Sequence, residues 1–315
     1  MSSRLLAVSC AAVVLCSCGS DKATDDSPLP VPDENEGFQM RFDAVAPPGE
    51  EIWLCQISEL PGGGFTPVNL AESVQSPGMH HMDIMALTLT GVSLDPGIYD
   101  CAELYETYDQ LMDKGIFLYA SQQEEQVIQL PEGVVANLPP LIKVMHEIHY
   151  VNTTDEPIDV FSAVNVYRYA GEIRDTIWGG AVRDVELNIP PMSEHTEWTR
   201  CAMTEDIDVL FLSSHTHQLG LEVSVRTFDG ENVGEEIYRN TDWQTPKLIS
   251  FGTEPLHVPA GSGFEFSCKF RNNSPEMVRW GFEAADEMCQ IALVFSPGEA
   301  ARECVPVASS DGLHE

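Results

Sequence analysis

The sequence predicts an all-β fold of the β-sandwich type, because its apolar residues recur in many short runs separated by turn residues. Residues 221 to 226 read Leu-Glu-Val-Ser-Val-Arg, which is the two-residue period of a strand with one buried face. Asp229-Gly230 then supplies a turn. Only residues 102 to 112 suggest a helix. Many short strands without alternating helices favour β-sandwiches over a parallel α/β sheet.

Further strands are predicted along the chain, each bounded by Pro, Gly, Asn or Asp. They cover residues 81–90, 141–151, 159–168, 263–270 and 290–295. The proline pair Pro190-Pro191 interrupts any strand, so we place a domain boundary there. The predicted organisation is a first domain over residues 38–188, a second domain over residues 189–304 and a tail over residues 305–315.

The first residues are typical of an export signal followed by a lipid anchor. Arg4 supplies a positive charge, residues 5 to 15 are apolar, and Leu15-Cys16-Ser17-Cys18 resembles a bacterial lipoprotein cleavage box. We therefore expect a signal peptide over residues 1–17, a lipidated Cys18 and an acidic flexible tether over residues 18–37. A plain secretory signal is the alternative. The expected location is the outer membrane, facing the periplasm or the cell surface, with the lipid as the membrane contact.

Composition limits the partners of the protein and supports export. Fifty acidic residues against sixteen basic ones give a net charge of −34, which repels phosphate backbones and excludes nucleic acid as a partner. Six of the nine cysteines follow the predicted cleavage site and are not Cys18. An even number in an exported chain predicts three disulfides, although the spacing leaves their pairing open.

His215 and His217 have the spacing of paired metal ligands. They are two residues apart, so on an extended segment both imidazoles point to the same side. Downstream, Cys289 and Ile291 belong to the apolar face of a predicted strand, which leaves Met288 and Gln290 on the opposite face. Two imidazoles with a thioether favour a copper ion that is reduced for part of its cycle.

A second group of histidines lies in the first half of the chain. His80 and His81 are adjacent, so both can bind one metal only at a bulge or at the start of a strand; Pro77-Gly78 just before them predicts such an irregularity. His149 is the predicted third ligand. His146 shares its strand face with apolar residues, which predicts a hydrogen-bonded core histidine.

Four motifs together resemble those of the copper type II, ascorbate-dependent monooxygenases. In chain order they are His80-His81-Met82, Glu147-Ile148-His149-Tyr150, His215-Thr216-His217 and Glu287-Met288-Cys289. The stretch from Glu51 to Cys55 is also similar to the dopamine β-hydroxylase branch of that family. The resemblance covers about residues 38 to 304.

The resemblance implies two tandem jelly-roll-like β-sandwich domains whose copper sites face each other across a solvent-filled cleft. It implies that one copper activates O2 while the other stores and delivers an electron from ascorbate or a similar reductant. The oxygen site would be held by His215, His217 and Met288, and the electron site by His80, His81 and His149. The implied disulfides are Cys55–Cys101, Cys201–Cys304 and Cys268–Cys289.

The predicted function is therefore hydroxylation of a C–H bond of a small organic substrate. The peptide-amidating branch grips a carboxylate with an arginine and a tyrosine, whose positions hold Ser213 and Ala292 in this chain, so peptide amidation is disfavoured. With Gln290, these are candidate substrate-facing positions. Glu147 resembles a glutamate of the dopamine β-hydroxylase branch and either pairs with a cationic amine or orients a histidine. The alternative function is a non-catalytic copper-carrier lipoprotein with the same ligands.

Overall fold

The computed structural model describes residues 28–61, 66–108, 110–111, 115–138, 142–252, 254–298, 303–310 and 312. The predicted signal peptide, the predicted lipidation site Cys18 and the tether up to residue 27 lie outside these residues. Strands form nearly all of the described regular structure, which confirms the all-β prediction. No helix in the described ranges is long and apolar enough to cross a membrane.

The first half of the chain is a β-sandwich of two sheets, whose strand pairs are antiparallel except for the parallel pair of β8 and β11. One sheet has the order β1-β10-β3-β8-β11, with β7 also paired to β3, and the other has the order β5-β2-β9-β4-β6. The elements are β1 Gly37–Ala46, β2 Glu51–Glu59, β3 Thr66–Gln75, β4 Met79–Ala86, β5 Gly97–Asp100, α1 Cys101–Thr107, β6 Ile116–Ser121, β7 Glu125–Gln129, β8 Val134–Leu138, β9 Lys143–Val151, β10 Ile158–Arg168 and β11 Asp175–Thr176. Phe42, Ile84 and Ile148 are fully buried between the sheets.

The second half repeats this architecture with its own core. One sheet has the order β12-β22-β15-β18, with β19 also paired to β15; another has the order β17-β16-β20-β14-β23, and β13 pairs with β21. The elements are β12 Trp178–Arg183, β13 Asn188–Ile189, β14 Ser193–Met203, β15 Ile207–His215, β16 Gly220–Phe228, β17 Val233–Asn240, β18 Ile249–Ser250, β19 Leu256–Val258, β20 Gly263–Asn272, β21 Val278–Arg279, β22 Gln290–Ser296 and β23 Cys304–Ser309. Phe264, Phe266 and Phe270 fill the space between its two large sheets.

Three segment boundaries differ from the prediction, because the segments concerned contact strands of the two sandwiches. β12 pairs with β22, so the change of sandwich precedes residue 178, not the prolines after residue 188. β23 pairs with β14, so residues 305–309 form a strand of the second sandwich rather than a tail. The end of the predicted tether is also packed: Leu29 is buried, and its carbonyl accepts a hydrogen bond from Gln39 Nε2.

The three disulfides implied by the family resemblance are confirmed. They join Cys55 to Cys101, Cys201 to Cys304 and Cys268 to Cys289. The first fixes α1 against β2, the second joins β14 to β23, and the third joins β20 to the residue just before β22. The helix itself is shorter than predicted and begins after Asp100, whose side chain accepts a hydrogen bond from the Glu103 backbone N–H.

The two sandwiches touch through an apolar cluster and several hydrogen bonds. Leu130 of the first half packs against Leu210 and Phe211 of the second. Next to this cluster, the side-chain amides of Gln122 and Gln123 donate to the carbonyls of Trp243 and Pro246 at 3.1 and 2.7 Å. These contacts place the face of β4, β6 and β9 opposite the face of β12, β15 and β22.

His146 has the predicted core role and gives the fold a dependence on pH. Its Nε2 lies 2.6 Å from Ser162 Oγ, and burial lowers its pKa from 6.5 to about 4. The unfolded chain therefore binds this proton more readily than the folded protein, so stability is complete above about pH 6.5 and is lost as the pH falls towards about 4. The shift corresponds to about 3 kcal/mol.

We expect His146→Gln to remove this component of the pH dependence. The measurement is the free energy of unfolding in urea for both proteins, from about pH 7 down to about pH 4. The difference in free energy of unfolding between wild type and variant should change across that pH range, because only the wild type has a buried histidine with a lowered pKa. Parallel curves would show that His146 does not titrate as its burial requires.

Candidate metal centre

Five imidazoles from the two sandwiches meet in one cluster. His80 and His81 lie on β4, His149 on β9, and His215 and His217 at the end of β15 and just beyond it. The ring centroid of His80 is 5.0 Å from that of His149 and 5.1 Å from that of His217. The centroids of His81 and His215 are 5.8 Å apart.

The predicted irregularity before the adjacent histidines is confirmed. The register of β4 against β9 shifts between Met79 and His81, and His81 then lies opposite His149. Gly78 has φ +81°, a left-handed conformation that favours glycine, and a Cβ there would lie 3.6 Å from the Tyr150 ring. The bulge turns both imidazoles of the pair towards the cluster.

Two carboxylates orient the histidines of the first sandwich. His81 Nε2 lies 3.0 Å from Glu147 Oε1, and His149 Nε2 lies 2.5 Å from Glu51 Oε1. Each contact engages one ring nitrogen and directs the other towards the cluster. Metal-binding histidines in proteins are held in this way, with the second nitrogen donating to a carboxylate or carbonyl.

The histidines of the second sandwich are oriented by neutral acceptors. His215 Nδ1 lies 2.6 Å from Gln122 Oε1, which belongs to the first sandwich, and His217 Nδ1 lies 3.0 Å from the Asp286 carbonyl. In both rings the engaged nitrogen is Nδ1, which leaves Nε2 without a hydrogen bond to any described residue. The first contact ties His215 to the interface between the sandwiches.

Several ring nitrogens of the cluster have no protein partner. Nε2 of His80, Nδ1 of His81 and Nε2 of His217 are buried without a hydrogen bond to any described residue. Such orphaned nitrogens are costly unless a ligand or ion satisfies them. Nδ1 of His80 and Nδ1 of His149 face each other at 3.2 Å. One nitrogen each of His80, His81 and His215 lie within 4.8 Å of one another, so the residues fit a metal ion.

The protonation states favour metal binding for most of the cluster. Burial and the neighbouring imidazoles lower the pKa of His80 and His215 far below the ordinary value, and burial lowers that of His217 to about 4. These rings are neutral at neutral pH and can donate a lone pair. Burial opposes protonation of His81, but its hydrogen bond to Glu147 and the charge of Asp83 raise its pKa overall.

The arrangement corrects one expectation drawn from the family resemblance. The two ligand sets do not face each other across a solvent-filled cleft, because imidazoles of both sets are in ring contact. The contacts between the sandwiches explain this proximity. Gln122 binds His215, and Glu51 accepts a hydrogen bond from the Ala284 backbone N–H at 3.3 Å as well as contacting His149.

Glu287 holds the sulfur-bearing end of the site together. Its fully buried carboxylate accepts hydrogen bonds from the backbone N–H groups of His217, Leu219 and Met288 at 2.9, 2.7 and 3.0 Å. Burial raises the pKa of Glu287 to about 7, against the backbone donors that favour the charged form. One side chain thus ties the segment after β15 to Met288.

A cavity of about 290 Å³ opens beside the cluster, between the two sandwiches. His81, His215 and Met288 are among the residues that line it, and its walls are mostly apolar. The candidate substrate-facing positions Glu147, Ser213, Gln290 and Ala292 all line it. Its size suits a small molecule, and its location beside the imidazoles places such a molecule next to the candidate metal centre.

Four residues of the site have no role in the sequence-based predictions. Glu51 and Glu287 lie inside motifs that carry the family resemblance, so their positions offered a signal. Gln122 and Arg183 offered none, because each reaches the site through a contact between strands far apart in the chain.

Comparison with known families agrees with the chemistry of these residues. Residues 178–314 match the family model described as copper type II ascorbate-dependent monooxygenase, C-terminal domain. The matched segment begins at β12 and contains His215, His217 and Met288. No curated protein matches the chain.

Proposed function

From the match of residues 178–314 to the C-terminal domain of copper type II ascorbate-dependent monooxygenases, we propose that this protein is a copper-dependent monooxygenase. It would use O2 and a one-electron reductant such as ascorbate to hydroxylate a C–H bond of a small organic substrate. One observation carries the proposal: imidazoles from both sandwiches, with free and buried ring nitrogens, converge beside an apolar cavity that Met288 also lines.

Two ligand sets would hold two copper ions, one each. His80, His81 and His149 would hold one copper, and His215, His217 and Met288 a second. Copper, when bound, supplies one-electron redox chemistry and activation of O2, which amino-acid side chains do not provide. The thioether of Met288 distinguishes the second set, because a soft ligand favours Cu(I).

The chain's own contribution is to fix the orientation of these ligands. Glu147 and Glu51 hold the rings of His81 and His149, and Gln122 holds that of His215. Rings held in this way keep their free nitrogens in place when the charge at the site changes, which reduces reorganisation. The apolar walls of the cavity exclude water from a substrate bound beside His215.

The contacts of Glu147 favour a role in orienting a histidine over a role in binding an amine substrate. Its Oε1 contacts His81 Nε2 and accepts from Trp53 Nε1 at 2.6 Å, while its Oε2 accepts from the Tyr105 hydroxyl at 2.7 Å. Both oxygens are therefore engaged, and the carboxylate is 4% exposed. A cationic substrate would have to displace one of these donors.

A copper carrier is the second candidate, and the cavity argues against it. A carrier needs the ligands but no apolar chamber beside them. The test is oxygen consumption by the copper-loaded protein with ascorbate, after unbound copper has been removed. The enzyme predicts uptake that needs both copper and reductant, whereas the carrier predicts bound copper without sustained uptake.

A matched pair of variants sharpens that test. His217→Ala should lower the uptake by about 100-fold, since it removes a proposed ligand whose Nε2 has no hydrogen-bond partner among the described residues. His257→Ala should leave the uptake unchanged, because His257 is exposed and its contact among the described residues is with Asp208. Equal uptake by both variants would count against the assigned site.

A further inference from the structure

We propose that the cavity between the sandwiches selects a small, largely apolar substrate that carries one carboxylate, and that Arg183 binds this carboxylate. The inference rests on the proposed function, because it concerns the substrate of the same cavity. It assigns a residue that neither ligand set uses. Four observations on Arg183 and the cavity walls carry it.

The first observation is the position of Arg183 relative to His215. Arg183 on β12 lies opposite Gln290 on β22, and Gln290 lies opposite His215 on β15. Directly opposed residues share a face of a sheet, so the three side chains form one row on the cavity side. Two strand spacings separate the ends of the row, about 10 Å. A small molecule anchored at Arg183 therefore reaches the neighbourhood of His215.

The second observation is that the guanidinium has unused donors. Its Nε donates to Gln290 Oε1 at 3.0 Å, which fixes the side chain in the cavity wall. Within the described ranges, no hydrogen bond involves its two Nη atoms and no carboxylate forms an ion pair with it. The two Nη groups are the donors of a guanidinium that can bind both oxygens of a carboxylate.

The third observation is the burial of this charge. Burial lowers the pKa of Arg183, and the nearby Tyr105 and Asp83 oppose that effect; the guanidinium nevertheless stays protonated at any physiological pH. Arg183 is half-buried, and a partly desolvated cation without an ion-pair partner among the described residues is stabilised when an anion joins it. The ring of Phe117, whose centroid is 5.8 Å from Arg183 Cζ, offers a cation–π contact that only partly replaces an anionic partner.

The fourth observation is the contrast between this end of the cavity and its walls. Most of the remaining wall is apolar and includes Phe117, Trp178, Phe211, Leu293 and Val294, although the carboxylates of Asp83 and Glu147 also line the cavity. The apolar part suits an aromatic or aliphatic body, and the described lining residues include no Lys and no second Arg. A single guanidinium without a neighbouring Lys, a second Arg or a helix N-terminus matches a carboxylate better than a phosphate, which needs more donors.

The test is calorimetric binding to the oxidised, copper-loaded protein without reductant, so that no turnover occurs. The probes are phenylpropanoate, phenylpropanol and phenylpropylamine, which differ only in the terminal group. Phenylpropanoate should bind about 10-fold to 100-fold more tightly than the alcohol, the range expected for charge-assisted hydrogen bonds. Arg183→Met should abolish that preference and leave the affinity for the alcohol unchanged, and Arg183→Lys should retain part of it.

The control variant is Arg226→Met, which removes an exposed arginine whose Nε also donates to an acceptor, the Gly234 carbonyl. It should bind all three probes as the wild type does, and thermal unfolding verifies that each variant folds. Three results would overturn the inference: tightest binding of the amine, equal binding of acid and alcohol, or an unchanged preference for the acid in Arg183→Met. The last result would mean that the acid binds elsewhere, for example to the metal. Because no reductant is present, these outcomes are independent of the oxygen-uptake test.

Discussion

Replacing Met288 with alanine is expected to lower copper-dependent oxygen uptake by about 100-fold or more while the protein remains folded. Met288 is 6% exposed and lines the same cavity as His215. Its thioether is the soft ligand that would stabilise Cu(I) next to two imidazoles. Loss of a ligand should affect metal affinity and activity at least as strongly as loss of an orienting contact, for which 10-fold to 100-fold is typical.

Met288→Leu separates ligation from packing. Leucine conserves most of the buried volume and should cost less than about 1.5 kcal/mol of stability, yet it carries no sulfur. Both Met288 variants should therefore lose uptake to a similar degree, although only the alanine variant loses packing. Met277→Leu, at a position that is 44% exposed, should behave as the wild type. Full activity in Met288→Leu would remove the thioether from the mechanism.

The second large effect is expected at Glu287, whose replacement by alanine should destabilise the second sandwich by at least about 3 kcal/mol. The substitution leaves the backbone N–H groups of His217, Leu219 and Met288 without their acceptor. Each buried donor that loses its partner costs about 1–3 kcal/mol. The same three hydrogen bonds connect the segment after β15, which carries His217, to Met288. Copper retention should therefore fall together with stability.

Glu287→Gln tests whether the side chain stabilises the loop by accepting hydrogen bonds from the backbone. The amide keeps one oxygen acceptor but turns an NH2 group towards backbone donors, so its stability should lie between wild type and Glu287→Ala. Thermal unfolding and copper content measure the two effects together. Glu283→Ala, at an exposed position of the same loop, is the matched control. A Glu287→Ala protein as stable as this control would show that the buried carboxylate does not hold the loop.

The features predicted correctly from the sequence are those with a local signature. Alternation of apolar residues placed the main strands. The faces of β9 distinguished His146, which bonds Ser162 in the core, from His149 in the cluster. Pro77-Gly78 predicted the bulge before His81. The disulfide pairing came from the family resemblance, since the cysteine spacing alone left it open.

The features that the sequence did not reveal depend on contacts between distant segments. β12 joins the second sandwich because its partner is β22, more than a hundred residues later, and no local pattern records that pairing. The proximity of the two ligand sets depends on Gln122 reaching His215 across the interface. In the sequence, Arg183 has no feature that distinguishes it from other polar residues. Only the strand register shows that it lies in one row with Gln290 and His215.

X-ray absorption of the Cu(I)-loaded protein shows directly whether imidazoles from both sandwiches and the thioether of Met288 hold copper. Nitrogen scatterers together with a sulfur scatterer are expected around the metal, and the sulfur signal should disappear in Met288→Leu while the nitrogen signal remains. A wild-type spectrum without sulfur, or a sulfur signal that survives in Met288→Leu, would contradict this ligand assignment.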